Sequence, residues 1–143
     1  MRRVIPANKV NHDYEKVLSE FVSALKNRLG EYLLMVYLTG SYARGDANDN
    51  SDLDVFCIFS TINQYVLENV GHCARNTSIP YDLLEINTQC LSVDEYKSKI
   101  FEDWSEYAIA ELNSVLLYGE QLVKIENINE KIQLSYKKNL ANI

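Results

Sequence analysis

The sequence contains little of what marks a fibrous, disordered or membrane-spanning chain. Among 143 residues there are five glycines and two prolines, and 47% of the residues are hydrophobic, which excludes collagen-like and disordered chains. The longest uninterrupted apolar run, Tyr32 to Leu38, is far shorter than the ~20 residues that cross a bilayer. No secretory apolar region follows Arg2 and Arg3, so we expect a cytoplasmic protein without a membrane partner.

Cysteine and basic residues are scarce as well. Cys57, Cys73 and Cys90 are odd in number and form no Cys-x-x-Cys motif, so neither a disulfide framework nor a zinc site is supported. Lysine and arginine total 14 against 20 acidic residues, which gives a net charge of -6. A protein that binds nucleic acid through its phosphates needs a basic surface, so nucleic acid is not an expected partner. A nucleotide held through metal ions remains compatible with an acidic chain.

The first half of the chain is predicted to form a helix and two strands. Apolar residues at helical spacing, capped by Asn11 or Asp13, predict a helix that stops at Gly30. Two β-prone runs follow, Leu33 to Thr39 and Asp52 to Phe59. A polar segment rich in Gly, Asn and Asp separates them, and it is too short to contain a crossover helix.

The second half is predicted to contain two helices around one strand. The capping box Thr61-x-x-Gln64 starts a helix, and a strand runs from about Tyr81 to Ile86. A second capping box, Ser92-x-x-Glu95, starts a longer helix that Gly119 ends. A short helix is expected after Asn127. The apolar stripe of the longer helix comprises Trp104, Ala108, Ile109, Leu112, Val115 and Leu116.

This order of elements predicts an α/β (α+β) fold with a small mixed β-sheet. The length and composition predict a single domain over residues 1–143. We expect the helices to cover one face of the sheet, which leaves the other face free for chemistry.

The most informative segment is Gly40–Asp46, with the sequence GSYARGD. Gly40 ends a strand and allows the backbone to approach a ligand closely. Ser41 offers a hydroxyl and an amide at the start of a helical turn, where unpaired N–H groups attract phosphate. Arg44, one turn later, adds a cation. These features predict a phosphate-binding turn, although each of them is common by itself.

A second informative pair is Asp52 and Asp54 at the start of a predicted strand. Residues two apart share a face, with side-chain origins roughly 6.6 Å apart, and their mutual repulsion is about 2.5 kcal/mol at an effective dielectric of ~20. A divalent cation reverses that repulsion, and two Mg²⁺ ions are the usual clamp for phosphoryl or nucleotidyl transfer. A third carboxylate is then expected to complete the site.

Known phosphate-binding motifs are absent from this segment. Gly45 is not followed by the Lys and Ser/Thr of a Walker loop, and the Gly-x-Gly of a dinucleotide site is missing. The pattern Gly40-Ser41, ten residues, Asp52-Leu53-Asp54 instead resembles the DNA polymerase β-type nucleotidyltransferase superfamily, and it is closest to the minimal nucleotidyltransferase (MNT) branch. Leu117-Tyr118-Gly119 resembles an element near the end of such domains.

The resemblance implies transfer of AMP from ATP to a hydroxyl, with two Mg²⁺ ions as cofactors. Gly40 and Ser41 match the family's triphosphate-binding pair, and Arg44 resembles a supporting phosphate contact. Asp52 and Asp54 match its metal ligands. The family's third carboxylate lies on a later strand, where the candidates are Asp82 and Glu85. They have opposite strand parity, so only one can face the pair if the strand is regular. The family residue is an Asp followed by an apolar run, which Asp82 matches better than Glu85, and it is implied to be a metal ligand or to accept a proton.

The resemblance also suggests the acceptor. Larger relatives carry a second helical domain for a drug or an RNA end, whereas this chain looks like the standalone MNT antitoxins that modify a tyrosine of a HEPN toxin partner. A second interpretation is a small-molecule, antibiotic-modifying nucleotidyltransferase that completes its pocket by homodimerisation. A third is a non-catalytic module that binds the toxin and blocks it sterically, which the full carboxylate set disfavours.

Overall fold

The computed structural model describes residues 10–48, 50–81, 84–102 and 114–120. None of the helices within these ranges combines the length and apolar character that crossing a membrane requires. Ile79–Tyr81 forms a short 3-10 turn. The other elements, in chain order, are α1 (Val10–Leu29), β1 (Leu33–Thr39), α2 (Gly40–Arg44), β2 (Leu53–Phe59), α3 (Gln64–Ser78), β3 (Ile86–Ser92), α4 (Val93–Glu102) and β4 (Val115–Gly119).

The four strands form one mixed sheet in the order β3-β2-β1-β4. β1 is antiparallel to both β2 and β4, while β2 and β3 are parallel, with α3 in the crossover between them. The register places Thr39 opposite Asp54, and Asp54 level with Asn87. The predicted α/β fold with a small mixed sheet is therefore confirmed.

One face of the sheet packs against α1 and α3. β1 and β2 are buried along nearly their whole length, and burying each large apolar side chain stabilises the fold by roughly 1.5–3 kcal/mol. Buried on this side are Val17, Phe21, Leu25, Leu29, Val36, Leu38, Leu53, Val55, Cys57, Phe59, Val66, Val70 and Cys73.

The opposite face is covered in its middle, contrary to the expectation that it is free. Tyr37 and Phe56 stack with ring centroids 5.0 Å apart, and Tyr96 of α4 lies 6.4 Å from Tyr37. All three are buried. The remaining polar end of this face carries Asp54, which alternates with the core-facing Leu53 and Val55.

The helix starts illustrate how local signals compete. The predicted capping box at α4 is confirmed, since Ser92 Oγ accepts from the Glu95 backbone N–H at 3.1 Å and Glu95 accepts from the Ser92 N–H at 3.2 Å. At α3 the capping residue is Asn63 rather than Thr61, because the Asn63 side chain accepts from the Val66 N–H at 2.9 Å. α1 stops before Gly30 as predicted, but it begins at Val10, before either predicted cap.

The predicted strand from Tyr81 to Ile86 is wrong. Ile79–Tyr81 forms the 3-10 turn, and β3 starts only at Ile86. The Leu53 N–H donates to the Glu85 carbonyl at 2.9 Å, which begins the parallel pairing of β2 and β3. Strand parity therefore cannot decide between Asp82 and Glu85, because both residues precede β3.

The helix predicted to run to Gly119 is also wrong at its end. Val115–Gly119 forms β4, which pairs with β1. Gly119 has a φ of +84°, and a Cβ there would overlap the Leu34 carbonyl oxygen, so this glycine permits a close strand contact. The predicted stripe from Trp104 to Leu112 and the helix predicted after Asn127 lie outside the described residues.

All three cysteines are free thiols. Cys57 and Cys90 are level with each other on β2 and β3. A hydrogen bond with Cys90, together with burial, raises the pKa of the Cys57 thiol well above its usual value.

Candidate active site

The candidate site begins where β1 turns into α2. Gly40 has a φ of +75°, and a Cβ built on it would overlap the Asp54 carboxylate. The neighbouring register pair, Thr39 and Asp54, places the start of α2 beside this carboxylate. Glycine is needed where the backbone lies this close to an acidic side chain, because it adopts a positive φ easily and has no Cβ to overlap the carboxylate.

The short helix α2 is held by its buried middle residue and by its C-terminal cap. Tyr42 is buried, and its ring lies 5.0 Å from that of Tyr14 on α1. Gly45 has a φ of +86°, and the N–H groups of Gly45 and Asp46 both donate to the Ser41 carbonyl, at 2.9 and 3.0 Å. The turn carrying Gly40 and Ser41 is therefore held in a fixed position next to β2.

The loop before β2 positions the two aspartates. The Asn48 N–H donates to Ser51 Oγ at 2.9 Å, and the Ser51 N–H donates to the Asn48 carbonyl at 3.0 Å. This closed turn places Asp52 directly before β2, and Asp54 is the second residue of that strand. Both carboxylates are half-buried, so Gly40, Ser41, Asp52 and Asp54 lie at the same end of the β1–β2 pair.

Asn87 on β3 is a member of this group that the sequence did not indicate. It is level with Asp54 across the parallel strands, and its Nδ2 donates to Asp52 Oδ2 at 3.1 Å. An isolated polar residue early in a strand gives no functional signal. Only the pairing of Leu53 with Ile86, a long-range property, could have pointed to it.

The structure does not supply the third carboxylate within the described residues. Asp82 lies outside them. Glu85 contributes its backbone carbonyl to Leu53, and its side chain is exposed. In the part of the chain that is described, no cluster of three or more His, Cys, Asp or Glu side chains could hold a metal ion.

Arg44, the predicted phosphate contact, is exposed at the end of α2. Its Nε lies 3.4 Å from Asp46 Oδ2, and the two side chains are 51% and 63% exposed. An ion pair this long and this exposed contributes at most about 1 kcal/mol. The guanidinium can therefore leave Asp46 for a phosphate at little cost.

The donor set fits Mg²⁺, the cation that the resemblance to nucleotidyltransferases implies. Mg²⁺ is held in proteins by one or two carboxylates together with the substrate's phosphates. Asp52 and Asp54 supply those carboxylates, and the missing side chain of Gly40 allows the Asp54 carboxylate to lie against the start of α2. Two carboxylates and a bound triphosphate satisfy this preference without a third acidic residue.

Solved structures with similar folds include a "putative nucleotidyltransferase" from Sulfolobus solfataricus, with a TM-score of 0.54 and 22% identity over 86% of this chain and 99% of that one. A toxin-antitoxin structure with AMP-PNP has a TM-score of 0.51 and 18% identity over 87% and 90% of the two chains. A MntA-HpeT toxin-antitoxin structure has a TM-score of 0.51 and 16% identity over the same shares. At these identities the likeness shows a common fold.

Comparison of sequences also finds similar proteins. The "Putative protein adenylyltransferase" of Methanocaldococcus jannaschii is 39% identical over 54 residues, which are 38% of this chain. The match spans about half of that relative, 54% of its length. The family model for the nucleotidyltransferase domain matches residues 18–136, which include both the Gly40-Ser41 turn and the aspartate pair. The chain therefore belongs to the nucleotidyltransferase domain family.

Proposed function

We propose that this chain is a Mg²⁺-dependent protein adenylyltransferase that transfers AMP from ATP to a tyrosine hydroxyl of a HEPN-type toxin. The observation that carries the proposal is the approach of the Gly40 backbone to the Asp54 carboxylate, with Asp52 beside it. This geometry allows one turn to bind the triphosphate while two carboxylates face the phosphorus that reacts.

Each site residue has a distinct role in this proposal. Gly40 and Ser41 bind the β and γ phosphates through the start of α2, and Arg44 adds a contact once it leaves Asp46. Asp52 and Asp54 hold the cations. When bound, Mg²⁺ neutralises the charge of the triphosphate and of the leaving pyrophosphate.

The reaction is a direct displacement at the α-phosphorus of ATP. The acceptor oxygen forms a bond to this phosphorus while the bond to the bridging oxygen of pyrophosphate breaks. Asp82 accepts the hydroxyl proton or completes the carboxylate set. The nucleotide passes straight to the acceptor, so no side chain of this chain becomes covalently attached.

A protein acceptor is supported by two comparisons and by charge. The M. jannaschii relative is named a protein adenylyltransferase, and two similar folds are those of toxin-antitoxin proteins, one of them with AMP-PNP. The net charge of -6 makes the chain poorly suited to gripping RNA by its phosphates. A tyrosine on a flexible loop of a partner can enter the uncovered end of the sheet.

We expect the toxin partner to gain AMP when the two proteins are co-expressed. Each transferred AMP adds about 329 Da to the acceptor, which intact-mass spectrometry detects, and peptide mapping should place it on tyrosine. Purified components should require both ATP and Mg²⁺. If the toxin is neutralised and never gains mass, the chain is a binding module. If an aminoglycoside or similar alcohol gains AMP instead, the chain is a small-molecule transferase.

The third carboxylate is tested by a matched pair of substitutions. Asp82→Asn should lower transfer by about 100-fold or more, a typical effect of removing a general base. Glu85→Gln should change it less than about threefold, because the Glu85 backbone carbonyl, which pairs with Leu53, is kept. Both variants remove one negative charge from the same segment. The reverse result would assign the role to Glu85.

A further inference from the structure

Asn87 lies at the polar end of the sheet, on the edge strand β3, and has no role in the proposed reaction. It lies on β3 directly level with Asp54, and its amide Nδ2 donates to Asp52 Oδ2 at 3.1 Å. The residue therefore touches one aspartate and neighbours the other. Its side chain is exposed, so it does not help to fill the core.

The register explains why this contact forms. Level residues on parallel strands point to the same face, and so do residues two apart on one strand. Asp54 and Asn87 are level, and Asp52 lies two residues before Asp54. All three side chains therefore emerge on the face opposite α1 and α3, and a diagonal hydrogen bond from Asn87 to Asp52 follows directly.

The chemistry of an amide suits this position. Asp52 and Asp54 repel each other, and a further carboxylate level with Asp54 would add to that repulsion. A neutral amide adds no charge, and its N–H donates to a carboxylate oxygen while leaving that oxygen's second lone pair available. Hydrogen bonds of this kind orient metal-binding carboxylates.

We propose that Asn87 is a positioning residue that holds the Asp52 carboxylate in the orientation required for cation binding. The inference rests on the proposed function, since it concerns the same site. It assigns Asn87 no contact with the nucleotide or the acceptor. Its effect acts through Asp52, and it should appear as weaker metal binding before it appears in any later step.

The test compares Asn87→Leu with Gln89→Leu. Leucine branches at the same side-chain atom as asparagine and cannot donate a hydrogen bond. Gln89 is exposed, lies on the same face of β3, and is level with Phe56 rather than with an aspartate. α,β-Methylene-ATP is present throughout, because it cannot be cleaved at the α-phosphorus. Mn²⁺ binding is followed by the loss of the free-ion electron paramagnetic resonance signal. The nucleotide itself binds Mn²⁺, so the loss in a protein-free titration with the same nucleotide is subtracted.

Asn87→Leu should weaken Mn²⁺ binding about tenfold, the lower end of the range for residues that orient metal ligands. Gln89→Leu should leave it unchanged. Thermal melting without metal should be similar in all variants, because position 87 is exposed. Asn87→Ala serves as a second variant and should also weaken binding, which separates loss of the donor from any effect of leucine.

The possible results separate the two proposals. Mn²⁺ binding that is equal in the wild type, Asn87→Leu and Asn87→Ala would overturn the role of Asn87 and leave the proposed function intact. An equal loss in Gln89→Leu would also overturn it. A wild-type chain that binds neither Mn²⁺ nor the nucleotide would overturn the proposed function and this inference together.

Discussion

Replacing either Asp52 or Asp54 with asparagine should lower AMP transfer on the order of 10³-fold while leaving the fold intact. The loss is large because each carboxylate stabilises charge that changes during the reaction, and removal of one such electrostatic contact commonly costs 10²–10³-fold or more. The fold should persist because the substitution removes one of two repelling charges. An asparagine at position 52 can still accept the hydrogen bond from Asn87.

The measurement combines transfer of labelled AMP with thermal unfolding. Asp46→Asn is the matched control, since it removes a carboxylate from the same loop region without touching the pair. Asp46 is exposed and contacts Arg44 weakly, so we expect less than about a threefold change in transfer. Full activity in either Asp52→Asn or Asp54→Asn would refute the assigned roles. A marked fall in melting temperature would mean that the lost activity reflects unfolding.

The parts of the fold that sequence predicts well are those that local physics determines. Leu33–Thr39 was predicted with the bounds observed, because a strand buried on both faces is almost continuously apolar. The second strand was predicted to begin at Asp52, one residue before the observed Leu53–Phe59. β3 was missed because Ile86–Ser92 alternates between exposed and partly buried residues and contains several polar ones. The strand was instead predicted in the more apolar segment from Tyr81 to Ile86, which follows Pro80.

β4 was missed for a different reason. Val115 and Leu116 continue a helical spacing from Trp104, so periodicity placed them on a helix. Both are nearly half exposed, at 46%, and their strand state depends on pairing with β1. Such pairing is a tertiary contact, and tertiary contacts override local preference in strands.

The candidate site also has one part that the local sequence predicts and one part that depends on tertiary contacts. The spacing of Gly40-Ser41 and Asp52-Leu53-Asp54 was enough to predict that the turn and the carboxylates meet, because a short link joins two antiparallel strands. Predicting Asn87 as part of the site would have required the parallel register of β2 and β3. That register depends on the length and packing of α3. Sequence reasoning therefore found the half of the site built by neighbouring strands and missed the half supplied across the crossover.

Gly40→Ala and Gly45→Ala should separate the function of the Gly40 turn from the cost of its conformation. Both glycines have positive φ, +75° and +86°, so alanine at either position costs on the order of 1–2 kcal/mol of stability. Only at position 40 would the new methyl group overlap Asp54; at position 45 it would meet nothing within 4 Å. Alanine at 40 must therefore displace the carboxylate or the turn.

We expect Gly40→Ala to reduce transfer about 100-fold, since a displacement of roughly 1 Å in a positioned group has an effect of this size. Gly45→Ala should retain transfer within about threefold once rates are corrected for the folded fraction, which denaturant unfolding supplies. Equal losses in the two variants would mean that backbone strain alone explains the effect. Wild-type transfer in Gly40→Ala would show that the reaction does not depend on this approach of backbone to carboxylate. The pair of alanines thus tests the geometry of the site directly, because the strain is common to both variants and the contact with Asp54 is confined to one.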